Sequence, residues 1–495
     1  MGDHLIGAVE WAMGAASFDV AQAFCQLGVN DSPLFRSIFV VSRRQLGKDS
    51  DYAARNLEFK FLAVLKARTT ADRRRYHERC LVLDGDGHCS LWGFQLHNSR
   101  SIGAIKCALP YTHCESSQRT LIVTLRRIFI ALFLLAYNLP LPAQTRLLAY
   151  YWMGAKAQTP AYSAAQIPFR KLTHIAHSFL AIDPKADGGI VIDPTLLEPA
   201  LIAGAHAAGV KVLISIGGAD ASQAAFAIVA KSETLRKSFA RNVHNFVTAN
   251  GYDGVDIDWE VPNAPADTQP CILLMQALRA EMPAPGFLLS MAIPSNPPGW
   301  GTGFDVPSLA PILDFINVMT YDFHGPWSNH AGHNSPILQS ASDPGSEGSL
   351  TTSMDLFEKT YGVPRQKLNF GTAFYGYDFE GAKSLWDICN CGKTTTSVNY
   401  GADIKPRINR LGWKSYFDNL AQAPYLLREG SGQRPPGFVT YDDASSTAAK
   451  TTLVLETRKM GGIFMWELSA DYDGASQDLL DAMYRAFVSA RGPRR

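Results

Sequence analysis

The sequence predicts an α/β chain folded as a (β/α)8 TIM barrel with a small insertion between its seventh and eighth strands. Two observations carry this. From Arg146 onward, eight short apolar runs alternate with amphipathic stretches. Parallel strands also need crossover helices, and eight such units close a sheet on itself. An open doubly wound sheet is the competing architecture. With 495 residues, 46% hydrophobic and 18% charged, the chain can bury a large core. A net charge of +1 provides no global field for nucleic acid or an anionic membrane, so the expected partner is neutral.

The strand candidates are "RLLAYYW" (146–152), "THIAHSFLAI" (173–182), "VKVLISIGG" (210–218), "GVDIDWE" (254–260), "GFLLSMAIP" (286–294), "DFINVMTYD" (314–322), "KLNFGTAFYG" (367–376) and "GGIFMWEL" (461–468). Among the helical patterns, "SETLRKSFARNVHNFVTANG" repeats Leu235, Phe239, Val243, Phe246 and Val247 on one face. Ser232 can cap its start and Gly251 its end. The catalytic-barrel region is expected over 146–490, with the insertion within about 379–445, where "WKSYFDNL", "APYLLREG" and "GFVTYDD" form their own short patterns.

"LRRIFIALFLLAYNLPLPAQ" has the order of a secretory signal: Arg126 and Arg127, an apolar run from Ile128 to Ala136, then a Pro-containing segment. The run is short of the roughly 20 residues of a membrane span, so no stable span is expected, although an uncleaved anchor also fits. Residues 121–144 are therefore expected to be signal-like, and residues 1–120 to be an N-terminal extension arising from the gene model. The alternative is a genuine domain ahead of an anchor. Peptides from residues 1–115 in mass spectra of the natural protein would exclude the gene-model reading. A secreted or periplasmic monomer is expected.

No CxxC pair of zinc-like spacing occurs, so no metal and no cofactor are assigned. Cys389 and Cys391 are expected as separate thiols, because two positions so close do not pair easily.

The stretch "GYDGVDIDWE" carries the chemistry. On a strand, Asp256, Asp258 and Glu260 share one face over roughly 13 Å, while Val255, Ile257 and Trp259 take the other. In a barrel the acids point to the axis, with Glu260 nearest the C-terminal mouth. Carboxylates crowded in a poorly solvated space cannot all ionise, so one keeps a proton and can serve as an acid. The bland alternative is an acidic, solvent-facing side of an ordinary strand.

"DGVDIDWE" resembles the DxxDxDxE signature of family 18 glycoside hydrolases, the chitinase family. "SIGG" (Ser215–Gly218), "MTYD" (Met319–Asp322) and "MWELSAD" with Trp466 resemble further motifs of that family, in family order. The resemblance implies hydrolysis of β-1,4 bonds between N-acetylglucosamine units of chitin or chitooligosaccharides, with the substrate's acetamide as nucleophile. It gives Glu260 the role of acid and base. Asp258 would orient the acetamide N–H, Asp256 would partner Asp258, and Tyr321 would bond the acetamide carbonyl. Tyr150, Asp322, Met319, Trp327, Tyr375 and Trp466 would line the substrate site, with Asp253, Ser215, Gly217 and Gly218 supporting it. Trp152 and Trp300 divide evenly between sugar contact and core, and Trp259 is expected in the core. His324 and His333 are read as loop hydrogen-bonders. A catalytically silent lectin of the same fold and an enzyme acting on N-glycan cores are the alternatives.

Overall fold

The computed structural model describes residues 145–491, with breaks at 184, 220–221, 297–299 and 433, and the backbone of five strands nearer the N-terminus. The chain divides into two units at Pro140 and Leu141. In the first, β1 (Ser37–Ser42), β2 (Lys60–Leu65), β3 (His77–Leu83), β4 (Cys89–His97) and β5 (Ser101–Cys107) pair antiparallel in that order. These strands fall in the stretch read from sequence as an extension. The signal-like segment 121–144 lies outside the described residues. Among the described residues, no helix is long and apolar enough to cross a membrane.

The second unit is the barrel. β6 (Arg146–Trp152), β7 (His174–Ile182), β9 (Lys211–Gly217), β10 (Gly254–Asp258), β11 (Leu288–Pro294), β12 (Phe315–Met319), β13 (Leu368–Ala373) and β19 (Gly462–Trp466) pair in parallel. The last returns to the first and closes the ring. A two-residue strand, β8 (Ile190–Val191), pairs antiparallel with β7. All eight barrel strands fall within the apolar runs.

Alternation along each strand divides the core in two. Outward-facing Leu147, Ile175, Val212, Ile214, Val255, Ile257, Ile316 and Phe370 pack with the surrounding helices. Inward-facing Leu148, Tyr150, Ala176, Leu213, Phe315 and Phe464 form a separate inner cluster. Trp259 is buried in the outer layer, stacked on Phe226 at 5.5 Å.

The described α-helices longer than four residues are α1 (Pro199–Ala207), α2 (Ser222–Lys231), α3 (Glu233–Asn250), α4 (Thr268–Glu281), α5 (Leu350–Asp355), α6 (Ala444–Thr452) and α7 (Asp478–Arg491). In α3 the Ser232 side chain accepts from the Leu235 N–H, and Gly251 takes the left-handed conformation that ends the helix (φ 74°). Its buried face is Phe239, Ala240, Val243 and Val247.

The predicted strand 367–376 divides between two sheets. β13 ends at Ala373, and β14 (Tyr375–Glu380) opens the insertion, so the insertion begins ahead of residue 379. β14, β15 (Thr395–Asn399), β16 (Trp413–Asp418), β17 (Ala423–Arg428) and β18 (Gly437–Thr440) form an antiparallel sheet in the order β15-β14-β18-β17-β16. Cys389 and Cys391 form a disulfide, against the expectation of separate thiols. The turn entering Cys391–Thr394 sets their Cα atoms 5.0 Å apart, within the span a disulfide bridges.

Gly217, at the end of β9, has φ 123°, and a Cβ there would lie 2.2 Å from the Asp258 carbonyl oxygen. Gly217→Ala is expected to cost about 2–4 kcal/mol from backbone strain and overpacking. Urea unfolding measures it, and an unchanged midpoint would contradict the close approach.

Candidate active site

Inside the barrel, Asp256 is fully buried and is held by donors from four other strands. Its Oδ2 accepts from Tyr150 Oη (2.9 Å) and Ser215 Oγ (2.8 Å). Its Oδ1 accepts from Ser290 Oγ (2.6 Å) and Asn317 Nδ2 (3.2 Å). The barrel register makes this possible, since Asp256 lies opposite Ser215 on one side and Ser290 on the other. The chain of bonds continues outward. Asn317 Oδ1 accepts from Asn369 Nδ2 (2.8 Å), and Asn369 Oδ1 accepts from Arg146 Nε (2.9 Å).

Asp258 lies one pleat nearer the mouth, 4% exposed, and its Oδ1 has no hydrogen-bond partner. Burial first, then the charges of Glu260 and Asp256, raise its carboxyl well above the ordinary range. Burial also raises Asp256, against four hydrogen bonds that favour its charged form. Asp256 has the donors a carboxylate needs, and Asp258 is the group positioned to keep a proton. β10 ends at Asp258, so Glu260 stands just past the strand at the C-terminal end. Its backbone N–H is held by Gln223 Oε1 (3.0 Å).

Tyr321 is buried just beyond β12. Burial, then Asp258, Asp322 and Glu260, raise its phenol well above its usual value, so it remains an O–H donor. Asp322 takes a positive φ (61°), and its Oδ1 accepts from Tyr375 and Tyr377 of the insertion, the latter at 2.8 Å. Burial raises this carboxyl, opposed by those two bonds. Trp466, at the end of β19, stacks on Phe179 (5.3 Å) and meets the Tyr150 ring edge-on (5.7 Å). Met319 ends β12, partly buried. Trp300 and Trp327 lie 6.0 Å apart, 38% and 55% exposed, and Trp327 meets Tyr377 at 5.7 Å. A buried carboxyl raised well above its ordinary range thus lies within electrostatic reach of Glu260, and the Tyr321 phenol within reach of both acids.

The family model of glycosyl hydrolases family 18 matches residues 146–471. The chain belongs to glycosyl hydrolase family 18. Chitinase A1 of Niallia circulans is 30% identical over 304 residues, 55% of this chain and 42% of that protein. Chitinase 1 of Aphanocladium album is 28% identical over 364 residues, covering 66% and 82% of the two chains. This chain thus spans well under half the length of the first relative and most of the second. In fold it is similar to the group IV chitinase of Ostrinia furnacalis, with a TM-score of 0.62 at 24% identity, over 70% of this chain and 100% of the other.

The family 18 barrel brings together Tyr150, Ser215, Asp256, Asp258, Tyr321 and Trp466, while Asp322 joins Tyr375 from the insertion. Gly217 and Gly218 both have positive φ, and the Gly218 N–H donates to the Asp258 carbonyl (3.1 Å). Asp253 sits at the opposite end of β10, where it accepts from Lys211 Nζ (2.6 Å), His206 Nε2 (2.8 Å) and the Val212 N–H (2.8 Å). Trp152, 39% exposed, ends β6. Sequence reasoning missed Ser290, Asn317, Asn369, Phe179 and Tyr377. For the first three, the available signal was a polar residue inside an apolar strand.

His324 Nδ1 contacts the His333 carbonyl (3.0 Å) and His333 Nε2 contacts Asp418 (3.1 Å), as loop hydrogen-bonders do. Among the described residues, the one group offering the donors for a cation is His324, His330 and Asp343.

The raised Asp258 carboxyl has a consequence for stability. An unfolded aspartate loses its proton near about pH 3.9, whereas the folded one holds it to much higher pH. Between those values folding must take up a proton, so wild type loses stability as pH rises, by up to about 1.4 kcal/mol per unit. The stability of Asp258→Asn relative to wild type is expected to be constant below about pH 3 and to grow as pH rises above the unfolded pKa of about 3.9. A flat difference in unfolding free energy would contradict the assigned proton.

Proposed function

We propose that the chain hydrolyses β-1,4 linkages between N-acetylglucosamine units of chitin or chitooligosaccharides, with retention and with the substrate's acetamide as nucleophile. The observation that carries this is the Asp258 carboxyl, buried, with Oδ1 unpartnered, within electrostatic reach of Tyr321 and Glu260. It suits an acetamide N–H, and a tyrosine O–H suits the acetamide oxygen. Asp256 cannot attack a sugar, because it is inaccessible and both its oxygens already accept hydrogen bonds. Asp258, the carboxyl positioned to keep its proton, is a poor nucleophile, and in family 18 the substrate's acetamide takes that role.

In the proposed sequence, Glu260 protonates the glycosidic oxygen as the acetamide oxygen closes on the anomeric carbon. The C–O bond breaks, and an oxazolinium ion forms against Asp258 and Tyr321. Glu260 then takes a proton from water, which opens the ring. Met319 and Trp466 would form the floor beneath the reacting sugar, and Trp327 would stack on a neighbouring unit. The disulfide fits an oxidising compartment, which supports a secreted or periplasmic location.

Glu260→Gln is expected to lower kcat on a fluorogenic chitobioside by about 10²–10⁴-fold while chitooligosaccharide binding stays within a few-fold. Asp258→Asn should lose about 10²–10³-fold by removing a preorganised electrostatic partner. Oligomers lacking the N-acetyl group should not be cleaved. Equal turnover by wild type and Glu260→Gln would sink the hydrolase reading, and cleavage of deacetylated oligomers would sink the acetamide mechanism.

A further inference from the structure

The connection from β12 to α5 runs from Thr320 to Ser349 with no helix or strand, apart from an isolated bridge at His330. Loops of this length need something to fix them. At its centre three side chains converge, each no more than 4% exposed. His324 Nε2 lies 3.0 Å from His330 Nε2, and Asp343 Oδ1 lies 3.4 Å and 3.3 Å from those two nitrogens.

The outer atoms of these groups are already committed. His324 Nδ1 faces the His333 carbonyl, which can only accept, so the proton of a neutral ring sits on Nδ1 and the Nε2 lone pair points inward. His330 Nδ1 faces Asn329 Oδ1 at 2.6 Å, which sets the same tautomer. Asp343 Oδ2 is held by Gln339 Nε2 (3.0 Å) and the Glu347 N–H (3.2 Å), and its inward Oδ1 also accepts from the Gly345 N–H (3.1 Å), which leaves that oxygen a further lone pair. Two imidazole lone pairs and a carboxylate oxygen thus meet at one point, and outer hydrogen bonds of this kind orient metal ligands.

The spacing selects the cation. Ligands about 2.0–2.1 Å from a tetrahedral ion lie about 3.3–3.4 Å apart, close to the three separations here. Two imidazoles and one carboxylate suit an ion of intermediate softness better than calcium or magnesium, which favour oxygen donors. The Trp386 ring packs against both imidazoles at 5.5 and 5.9 Å and gives the cluster an apolar cover.

We propose that His324, His330 and Asp343 bind one zinc ion, which clips the long loop carrying Trp327 behind Asp322. The ion takes no part in the glycosidic chemistry, and its test is independent of the proposed activity.

The full chain is to be refolded from denaturant with and without zinc chloride, desalted, and assayed for zinc by elemental mass spectrometry. Close to one equivalent is expected for wild type and less than a tenth for His330→Ala and Asp343→Ala. Refolding with cobalt chloride should give wild type the intense visible bands of a tetrahedral ion. No zinc above background in wild type would overturn the proposal, leaving a proton between the imidazoles as the bridging cation. Equal zinc in wild type and in variants of native circular dichroism would overturn it as well.

Discussion

A carboxylate buried on the axis of a barrel constrains every strand around it. Asp256 is fully buried, and an unsatisfied buried charge costs several kcal/mol. The fold meets that demand with neutral donors, Tyr150, Ser215, Ser290 and Asn317, each on a different strand. Asn317 is in turn oriented by Asn369, and Asn369 by Arg146. The polar layer therefore fixes the register of half the barrel, and the apolar residues on the outer faces follow from it by alternation.

The same constraint divides the acids. Once Asp256 has taken the available donors, Asp258 receives none at Oδ1 and relieves its burial by keeping a proton. Glu260 escapes the layer because β10 stops two residues earlier, which leaves it at the mouth within electrostatic reach of both Asp258 and Tyr321. Three carboxylates at alternate positions thus acquire three environments: saturated, desolvated and partly buried at the mouth. Their spacing is regular, and their chemistry is not.

Much of this was legible in the sequence because it depends on local rules. The eight strands follow from apolar runs, α3 from its Ser232 cap and Gly251 terminator, and the burial of Trp259 from alternation. What stayed hidden depends on pairing across the barrel. Ser290 and Asn317 are single polar residues in otherwise apolar strands, and only the folded barrel shows that both donate to Asp256. Tyr375 was read as the tail of a strand because nothing local marks the change of sheet at Phe374. The disulfide was missed because spacing in sequence does not report the 5.0 Å between Cα atoms in a turn. His330 and Asp343, thirteen residues apart in a loop, carry no periodic signal at all.

The insertion is mechanically part of the site rather than an appendage. Tyr375 and Tyr377 donate to Asp322, so the first strand of the inserted sheet is tied to the residue beside Tyr321. Tyr377 also packs against Trp327, which belongs to the loop after β12. That loop is held a second time by the strip around the disulfide: Ala331 N–H donates to the Asp387 carbonyl (2.8 Å) and Cys389 N–H to the Asn329 carbonyl (3.2 Å). The exposed tryptophan is therefore positioned by two parts of one inserted segment, through a ring contact on one side and backbone pairing on the other. A flexible loop would lose conformational entropy whenever a sugar stacked on Trp327, whereas a loop fixed in this way meets that cost during folding. Preorganisation of the mouth thus rests on the insertion in the way that preorganisation of the acids rests on Asp256.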